Sequence, residues 1–414
     1  MNKLLEKNIV KIFNIFILSI PILDALYGLF NNSIITYIDY IVKAIFTCIM
    51  LYYLMFIKKK NKKYFLALLI YSIIYILINA ISKNRVDMIY EIKVLLKVMF
   101  FPIVILFTLS IKDRINIKYL SLAFVSYLLL IFIPNRLNIG HNSYAITKEG
   151  SVGFYLAANV VGNILSMLFP ILLWFLIKND RKIPAVCFTI IYIYTLLTMG
   201  TKGPLICIAI LFMYFIIYVF IKLMQKKKYL ILVIGLILII GMIIVFIKIL
   251  PTTAFYKNLL THLEFLNIHS FKELLTFKNI DHFVFGSRFT MLGDSFKLFK
   301  ESSILHKLFG IGYTNNGILK TCEMDYFVLL IHQGIIGFIL MFSAYIVLIL
   351  NIVKEYFIEF KNDFMNLENS IFFIAVIISV LCAFFVGHIL DVPSAVIFVG
   401  SIIALTENKL NESR

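Results

Sequence analysis

The sequence is poor in charged residues. Lys, Arg, Asp and Glu together make up 15% of its 414 residues, whereas hydrophobic residues make up 62%. A typical soluble domain has about 25% charged residues and about 45–50% apolar residues. The composition therefore excludes an ordinary soluble protein and predicts a polytopic membrane protein.

Cysteine is also scarce, and the five cysteines form neither a disulfide framework nor a zinc-binding spacing. Glycine-rich nucleotide loops and Ser-His-Asp arrangements are missing as well. The sequence therefore predicts no metal site and no cofactor. Because the chain has no basic soluble domain, its net charge of +17 does not indicate nucleic-acid binding.

Most of the sequence consists of long apolar runs. About 20 apolar residues cross a bilayer as a helix, because unpaired backbone polar groups are not tolerated in hydrocarbon. We expect an all-α integral membrane protein with about 12 transmembrane helices in a single polytopic domain, 1–414. The predicted spans are 9–30, 34–57, 64–81, 92–110, 117–134, 155–177, 183–200, 203–223, 229–250, 326–353, 370–387 and 393–406. The runs 64–81 and 393–406 are short, so the alternative for each is a re-entrant segment.

The distribution of basic residues predicts the orientation. Twenty-two Lys and Arg residues fall in segments on the N-terminal side of the membrane, against five in the short loops of the other side. Cytoplasmic loops carry this excess, so both termini are predicted to be cytoplasmic. The segment 251–325 contains no span, and we expect it to form a long extracytoplasmic loop or cap with short amphipathic helices.

Arg288 is the first candidate functional residue. In HFVFGSRFTMLGDSFKLF the apolar residues recur at helical spacing, which predicts an amphipathic helix at the outer membrane face. Arg288 would lie in its first turn, where a helix N-terminus and a guanidinium together suit a phosphate. The alternatives are an ion pair with Asp281 or Asp294, or a contact with a lipid headgroup.

Four other basic residues are candidates for binding the same anion. Lys202 lies in a tight turn between two spans, and positive charge is disfavoured in short outer loops unless something requires it. Lys93 and Lys97 are four residues apart on one helix face, and Arg136 lies in the outer segment 134–154. Alternatively, Lys202 is a hairpin tip that faces water, and the other two lysines snorkel to headgroups.

Two carboxylates precede the tenth span. Glu323 and Asp325 are candidates for the general base that takes a proton from a sugar hydroxyl. The alternative is an N-terminal helix cap, since acidic residues in the first turn complement the helix dipole. The sequence leaves open which of the two is the base.

Two further side chains are possible site residues. Asp24 in PILDALYG is an intramembrane carboxylate, and such residues are functional candidates by default. It would otherwise form a buried pair with Lys43 or Lys97. His388 lies in FVGHILDVPSA, in a tight outer turn, where a lone histidine is more often structural.

Several stretches, taken in order, resemble the O-antigen polymerase and O-antigen ligase superfamily, including its Wzy-type polymerases. The ligase branch has a His-Asn pair eleven residues before the glycine that matches Gly334, whereas this chain has Glu323 there, followed by Met324 and Asp325. The acidic pair is similar to that of capsule polymerases of Gram-positive bacteria. The stretches are SIPILDALYG, SVGFYLAANVVGNILSMLFPIL, TMGTKGPLICIAI, GSRFTMLGDSFKLFKESSILHKLFGIGY, EMDYFVLLIHQGIIGFIL and FVGHILDVPSAVIF.

The resemblance implies a glycosyltransferase of the bacterial plasma membrane. The donor would be an oligosaccharide on a polyprenyl diphosphate such as undecaprenyl diphosphate, and the acceptor a growing glycan, with no metal required. Arg288 and Lys202, supported by Lys93 and Lys97, would stabilise the departing diphosphate. Membrane lipid and a chain-length regulator or flippase are further expected partners.

Three other functions remain open at this point. The first is ligase-type transfer of glycan to a lipid, protein or wall acceptor. The second is a transporter or flippase for lipid-linked sugars, although transporters place their binding groups near the membrane midplane. The third is a structural partner in a wall-synthesis complex.

Overall fold

The computed structural model describes residues 2–31, 33–34, 36–59, 61–144, 149–314, 322–362 and 366–412. Within these ranges the chain is almost entirely helical, with 17 α-helices and one isolated β-bridge between His141 and Gly153. The predicted all-α membrane fold is confirmed. Residues 315–321 of the predicted 251–325 loop lie outside the described residues.

Most of the helices are long, and the short ones cluster in the predicted loop. The long helices are α1 (Asn2–Leu29), α2 (Thr36–Tyr52, continued by a π-helix at Tyr53–Ile57), α3 (Lys62–Ser82), α4 (Arg85–Ser110), α5 (Ile117–Arg136), α6 (Ala158–Lys178), α7 (Lys182–Met199), α8 (Lys202–Gln225) and α9 (Tyr229–Ile249). Five helices follow before the next span: α10 (Ala254–Phe265), α11 (Phe271–Leu274), α12 (Phe277–Val284), α13 (Arg288–Glu301) and α14 (Ile304–Phe309). The chain closes with α15 (Asp325–Asn362), α16 (Leu367–Phe385) and α17 (Pro393–Glu412).

Eleven of the described helices are long and apolar enough to cross a membrane, one fewer than the twelve predicted runs. The remaining run, 393–406, forms α17. This helix is apolar over its first 14 residues but continues through Glu407, Asn408 and Lys409, which lowers its mean hydropathy. Its first turn hydrogen-bonds Asp24 through Ser394, and Glu407 in its last turns pairs with Lys112.

Ion pairs connect the predicted cytoplasmic segments to one another at one end of the bundle. Glu6 lies 2.6 Å from Lys58 and 3.4 Å from Arg114, which tie α1 to the α2–α3 and α4–α5 connections. Lys112 lies 3.2 Å from Glu407 near the C-terminus. α1 and α17 therefore have their terminal ends at the same end of the bundle, which agrees with the predicted topology.

α6 lies at the centre of the bundle and α9 at its edge. Within the most apolar window, 83% of the α6 residues are buried, against none of those in α9. α6 packs against α5, α8, α16 and α17, whereas the long helix that α9 packs against most closely is α8. The polar site described below lies at the outer ends of the central helices.

α15 is interrupted at Gly334, which has the non-helical angles φ +70° and ψ 177°. The break leaves the carbonyl groups of the preceding turn without helical donors. Those of Ile331 and His332 accept hydrogen bonds from the N–H groups of Ile311 and Gly312, at 3.3 and 3.2 Å. The interrupted helix therefore holds the Gly-Ile-Gly segment that closes the long loop.

Candidate active site

Arg288 is the first residue of α13, as the sequence predicts. The chain enters this helix through Gly286 and Ser287, which both have positive φ angles, of 62° and 67°. The buried Asp281 accepts hydrogen bonds from the N–H groups of Phe289 at 3.0 Å and Thr290 at 2.8 Å. The helix N-terminus is thus satisfied by a carboxylate of the protein, so the Arg288 side chain is what remains for an external anion.

The Arg288 guanidinium pairs with Glu323 rather than with Asp281 or Asp294. Its Nη2 donates to Glu323 Oε2 at 2.6 Å, and its Nη1 donates to the Phe285 carbonyl at 2.9 Å. Its Nε is buried and has no hydrogen-bond acceptor among the described residues. Thirty-five positions separate the two members of this pair, yet the fold places them in direct contact.

Asp325 anchors the turn that precedes α17. Its carboxylate is buried and accepts three backbone hydrogen bonds, from His388 at 2.7 Å and from Ile389 and Leu390 at 2.9 Å each. It is also the first residue of α15, where the sequence allows a helix cap. These contacts favour the structural interpretation of Asp325 and leave Glu323 as the more accessible carboxylate.

His388 and Asp391 lie in this turn, outside the spans. His388 has a positive φ of 59°, and its Nδ1 lies 3.7 Å from the Asp391 carboxylate. The hydrogen bond to Asp391 raises the pKa of His388, against the opposing effect of burial. Burial acts against ionisation of Asp391, but His388 and the charge of Lys97 hold the pKa of Asp391 below its usual value. Lys97 therefore lies within electrostatic reach of the turn.

Lys202 opens α8 and contacts the long loop. Its Nζ donates to the Phe283 carbonyl, lies 3.1 Å from His262 Nδ1 and stands 3.8 Å from the centroid of the Phe283 ring. Arg288 contacts the carbonyl of Phe285, two residues farther along the same segment. The two cations are therefore on the order of 10 Å apart, given about 3.8 Å between consecutive Cα atoms.

The remaining predicted cations lie on α4 and α5. Lys93 is exposed on α4 and has no ion pair within the described ranges. Arg136 is exposed at the end of α5 and lies over the Tyr194 ring, at 4.3 Å from its centroid. Their predicted roles in phosphate binding remain predictions, and the structure assigns Arg136 an aromatic contact.

Asp24 belongs to a buried polar network, in agreement with the pairing alternative drawn from the sequence. Its carboxylate lies 3.0 Å from Lys43 Nζ and accepts hydrogen bonds from Tyr127 at 2.5 Å and Ser394 at 2.7 Å. Lys43 also binds Asp39. The network joins α1, α2, α5 and α17 beneath the His388 turn, which is a structural use for an intramembrane carboxylate.

Sequence reasoning missed Glu91, because the predicted span 92–110 begins one residue after it, whereas α4 begins at Arg85. Glu91 is fully buried on α4, where it pairs with Lys83 and accepts from Tyr75 at 2.6 Å. It also accepts from the N–H groups of Tyr313 and Thr314, at 2.6 and 2.7 Å. This carboxylate therefore fixes the end of the Gly-Ile-Gly segment to the membrane helices.

The arrangement can bind an anion and accept a proton at the same place. Arg288 offers an Nε that has no acceptor among the described residues, and its Nη2 donates to Glu323, which is 28% exposed. No group of three or more His, Cys, Asp or Glu side chains in the described ranges is placed to hold a metal ion. We refer to Arg288, Glu323 and the turn 387–391 as the polar mouth.

These features define a multi-pass integral membrane protein with a charged site at one end of a helical bundle. The chain belongs to a family described as O-antigen ligase like membrane protein, whose model matches residues 6–279 and 269–411. No curated protein matches the chain. The predicted superfamily is thereby confirmed, and membership supports a glycan-transfer function in the membrane, acting on a lipid-linked glycan and an acceptor.

Proposed function

We propose that this protein is a polymerase that joins polyprenyl-diphosphate-linked oligosaccharide repeat units at the outer face of a bacterial plasma membrane. The observation that carries the proposal is the contact of 2.6 Å between Arg288 and Glu323 at the polar mouth. An anion-binding group and a proton acceptor then lie side by side, which is what transfer from a diphosphate to a hydroxyl requires.

The diphosphate of the donor binds Arg288, taking the unused Nε and displacing Glu323 from Nη2. A guanidinium suits this exchange, because its planar fork matches phosphate oxygens as well as carboxylate oxygens. Binding of the donor thus releases Glu323 at the moment when a base is needed.

The acceptor hydroxyl oxygen then attacks the anomeric carbon of the donor sugar. The carbon–oxygen bond to the diphosphate breaks, its electron pair stays on the diphosphate, and the hydroxyl proton passes to Glu323. Positioned cations contribute about 10²–10³ in rate per donor, and general base catalysis about 10²–10⁴. Lys202, on the order of 10 Å from Arg288, adds positive potential near this site.

Transfer to a lipid, protein or wall acceptor is the second candidate, because the matched family is described as ligase-like. The acidic Glu323 at the position where the ligase branch has histidine favours the polymerase. A deletion strain separates the two. Loss of a polymerase leaves single repeat units attached to their acceptor, whereas loss of a ligase leaves free lipid-linked polymer.

The direct test supplies the purified protein in vesicles with a polyprenyl-diphosphate-linked repeat unit. A ladder of products is expected for the wild type and for Lys297→Gln, which removes an exposed charge from the same helix as Arg288. Arg288→Ala and Glu323→Gln should yield no ladder. Translocation of the donor without glycan joining would instead indicate a transporter and contradict the proposal.

A further inference from the structure

An apolar groove of about 210 Å³ lies between α8 and α9. All nine lining residues are apolar, and they come from the C-terminal half of α8 and the N-terminal half of α9. The α8 portion, from Phe215 to Leu223, rises about 12 Å at 1.5 Å per residue. That is close to the hydrocarbon depth of one leaflet, about 15 Å.

No described part of the protein covers this groove. α9 has no buried residue, and the long helix that it packs against most closely is α8. Because the lining is apolar and no residue of α9 is buried, the groove opens to the surrounding lipid. Its occupant must therefore be something that already lies in the membrane.

A cluster of lysines lies at the inner end of the groove. Lys222 precedes the lining residue Leu223, and the connecting turn 226–228 consists of three lysines. The sequence contains no Asp or Glu between Asp180 and Glu264. Among the described residues, none of these four lysines forms an ion pair. The groove thus ends at a positive cluster that no carboxylate neutralises.

We propose that the α8–α9 groove binds one anionic phospholipid of the cytoplasmic leaflet. Its acyl chain lies in the apolar groove, and its phosphate contacts the lysines of the turn 226–228. Basic clusters just cytoplasmic of transmembrane helices attract anionic headgroups, and the adjoining groove gives the chain a fixed position. This site is on the opposite side of the membrane from the polar mouth, so it is independent of the proposed function.

Two glycines provide a matched pair of groove variants. Gly235 lines the groove, whereas Gly241 lies farther along α9 and does not. A Cβ atom at either position meets no heavy atom within 4 Å. Both positions therefore accommodate a Cβ atom, so Gly235→Phe adds bulk to the wall of the groove and Gly241→Phe adds the same side chain elsewhere.

Native mass spectrometry of the full-length protein, titrated with phosphatidylglycerol or phosphatidylcholine, measures the binding. We expect one phosphatidylglycerol per chain to be retained in preference to phosphatidylcholine. Gly235→Phe should weaken this binding at least tenfold, while Gly241→Phe leaves it unchanged. Equal retention of the two lipids, equal binding by the two variants, or a dimer filling the groove would overturn the proposal.

The charge component is tested with a second matched pair. Each lysine near an anionic headgroup raises the affinity about fivefold. A triple variant should therefore weaken binding about a hundredfold when it combines Lys226→Gln, Lys227→Gln and Lys228→Gln. The control replaces Lys59, Lys62 and Lys63, which are exposed on the predicted cytoplasmic α2–α3 connection. If that control weakens binding as much as the first triple variant, general surface charge explains the result and the site is refuted.

Discussion

Replacement of Arg288 by alanine tests the central contact of the polar mouth. Among the described residues its Nε has no acceptor, and its Nη2 donates to Glu323, so two donors become available to a departing diphosphate. Loss of one positioned donor lowers turnover by about 10²–10³. We therefore expect Arg288→Ala to reduce the rate of glycan joining by at least about a hundredfold.

The same substitution should leave the protein folded. The side chains of the Arg288–Glu323 pair are 13% and 28% exposed, and a partly exposed ion pair contributes about 0–1 kcal/mol to stability. The hydrogen bond from Arg288 to the Phe285 carbonyl contributes about 1 kcal/mol more to the free energy of unfolding. Turnover should therefore fall far more than the unfolding temperature does.

The assay is the initial rate of ladder formation in vesicles, with thermal unfolding measured on the same preparations. Arg288→Lys keeps the charge but loses the planar fork, so its rate should lie between those of the wild type and the alanine variant. A rate for Arg288→Ala within threefold of the wild type, in protein that remains folded, would refute the assigned role.

Three further predictions concern the scaffold of the site. Asp325→Asn replaces a carboxylate that accepts three backbone hydrogen bonds, so it should lower the free energy of unfolding by about 2–3 kcal/mol. Denaturant titration measures this change, and a smaller one would contradict the role of Asp325 in holding the turn before α17. Gly310→Ala places a methyl group 2.1 Å from a carbonyl oxygen of α15 at a φ of 101°, so the yield of folded protein should fall sharply, whereas Gly293→Ala, with open space around it, should be tolerated. The raised pKa of His388 stabilises the fold below about pH 6.5 and loses this effect as pH rises through the folded pKa, while the lowered pKa of Asp391 stabilises it above about pH 4. The unfolding temperature should accordingly be higher at pH 5.5 than at pH 8, and a His388→Gln variant with the same difference would contradict this reasoning.

The membrane spans could be read from the chain because each is decided by about 20 consecutive residues. A bilayer requires every spanning segment to satisfy its own backbone hydrogen bonds, so a long apolar run specifies a helix without regard to distant residues. The same local logic placed Arg288 at the start of α13. The twelfth predicted run forms α17, whose polar C-terminal end carries the Glu407 that pairs with Lys112.

The partners of the charged residues could not be read in the same way. Proximity in sequence suggested Asp281 or Asp294 as the ion-pair partner of Arg288. In the structure Asp281 caps α13, and the guanidinium pairs with Glu323. Glu91 was not predicted as a site residue, although it holds the end of the Gly-Ile-Gly segment. Its partners there, Tyr313 and Thr314, lie more than 200 positions away in sequence.

By itself the sequence determined that this is a helical membrane protein, which residues are charged, and roughly where each lies along its helix. The tertiary structure alone decided which carboxylate pairs with Arg288, which one anchors the His388 turn, and what Lys202 and Arg136 contact. Span formation is a local property of hydropathy, whereas the contacts of a charged side chain depend on how helices that are distant in sequence pack together.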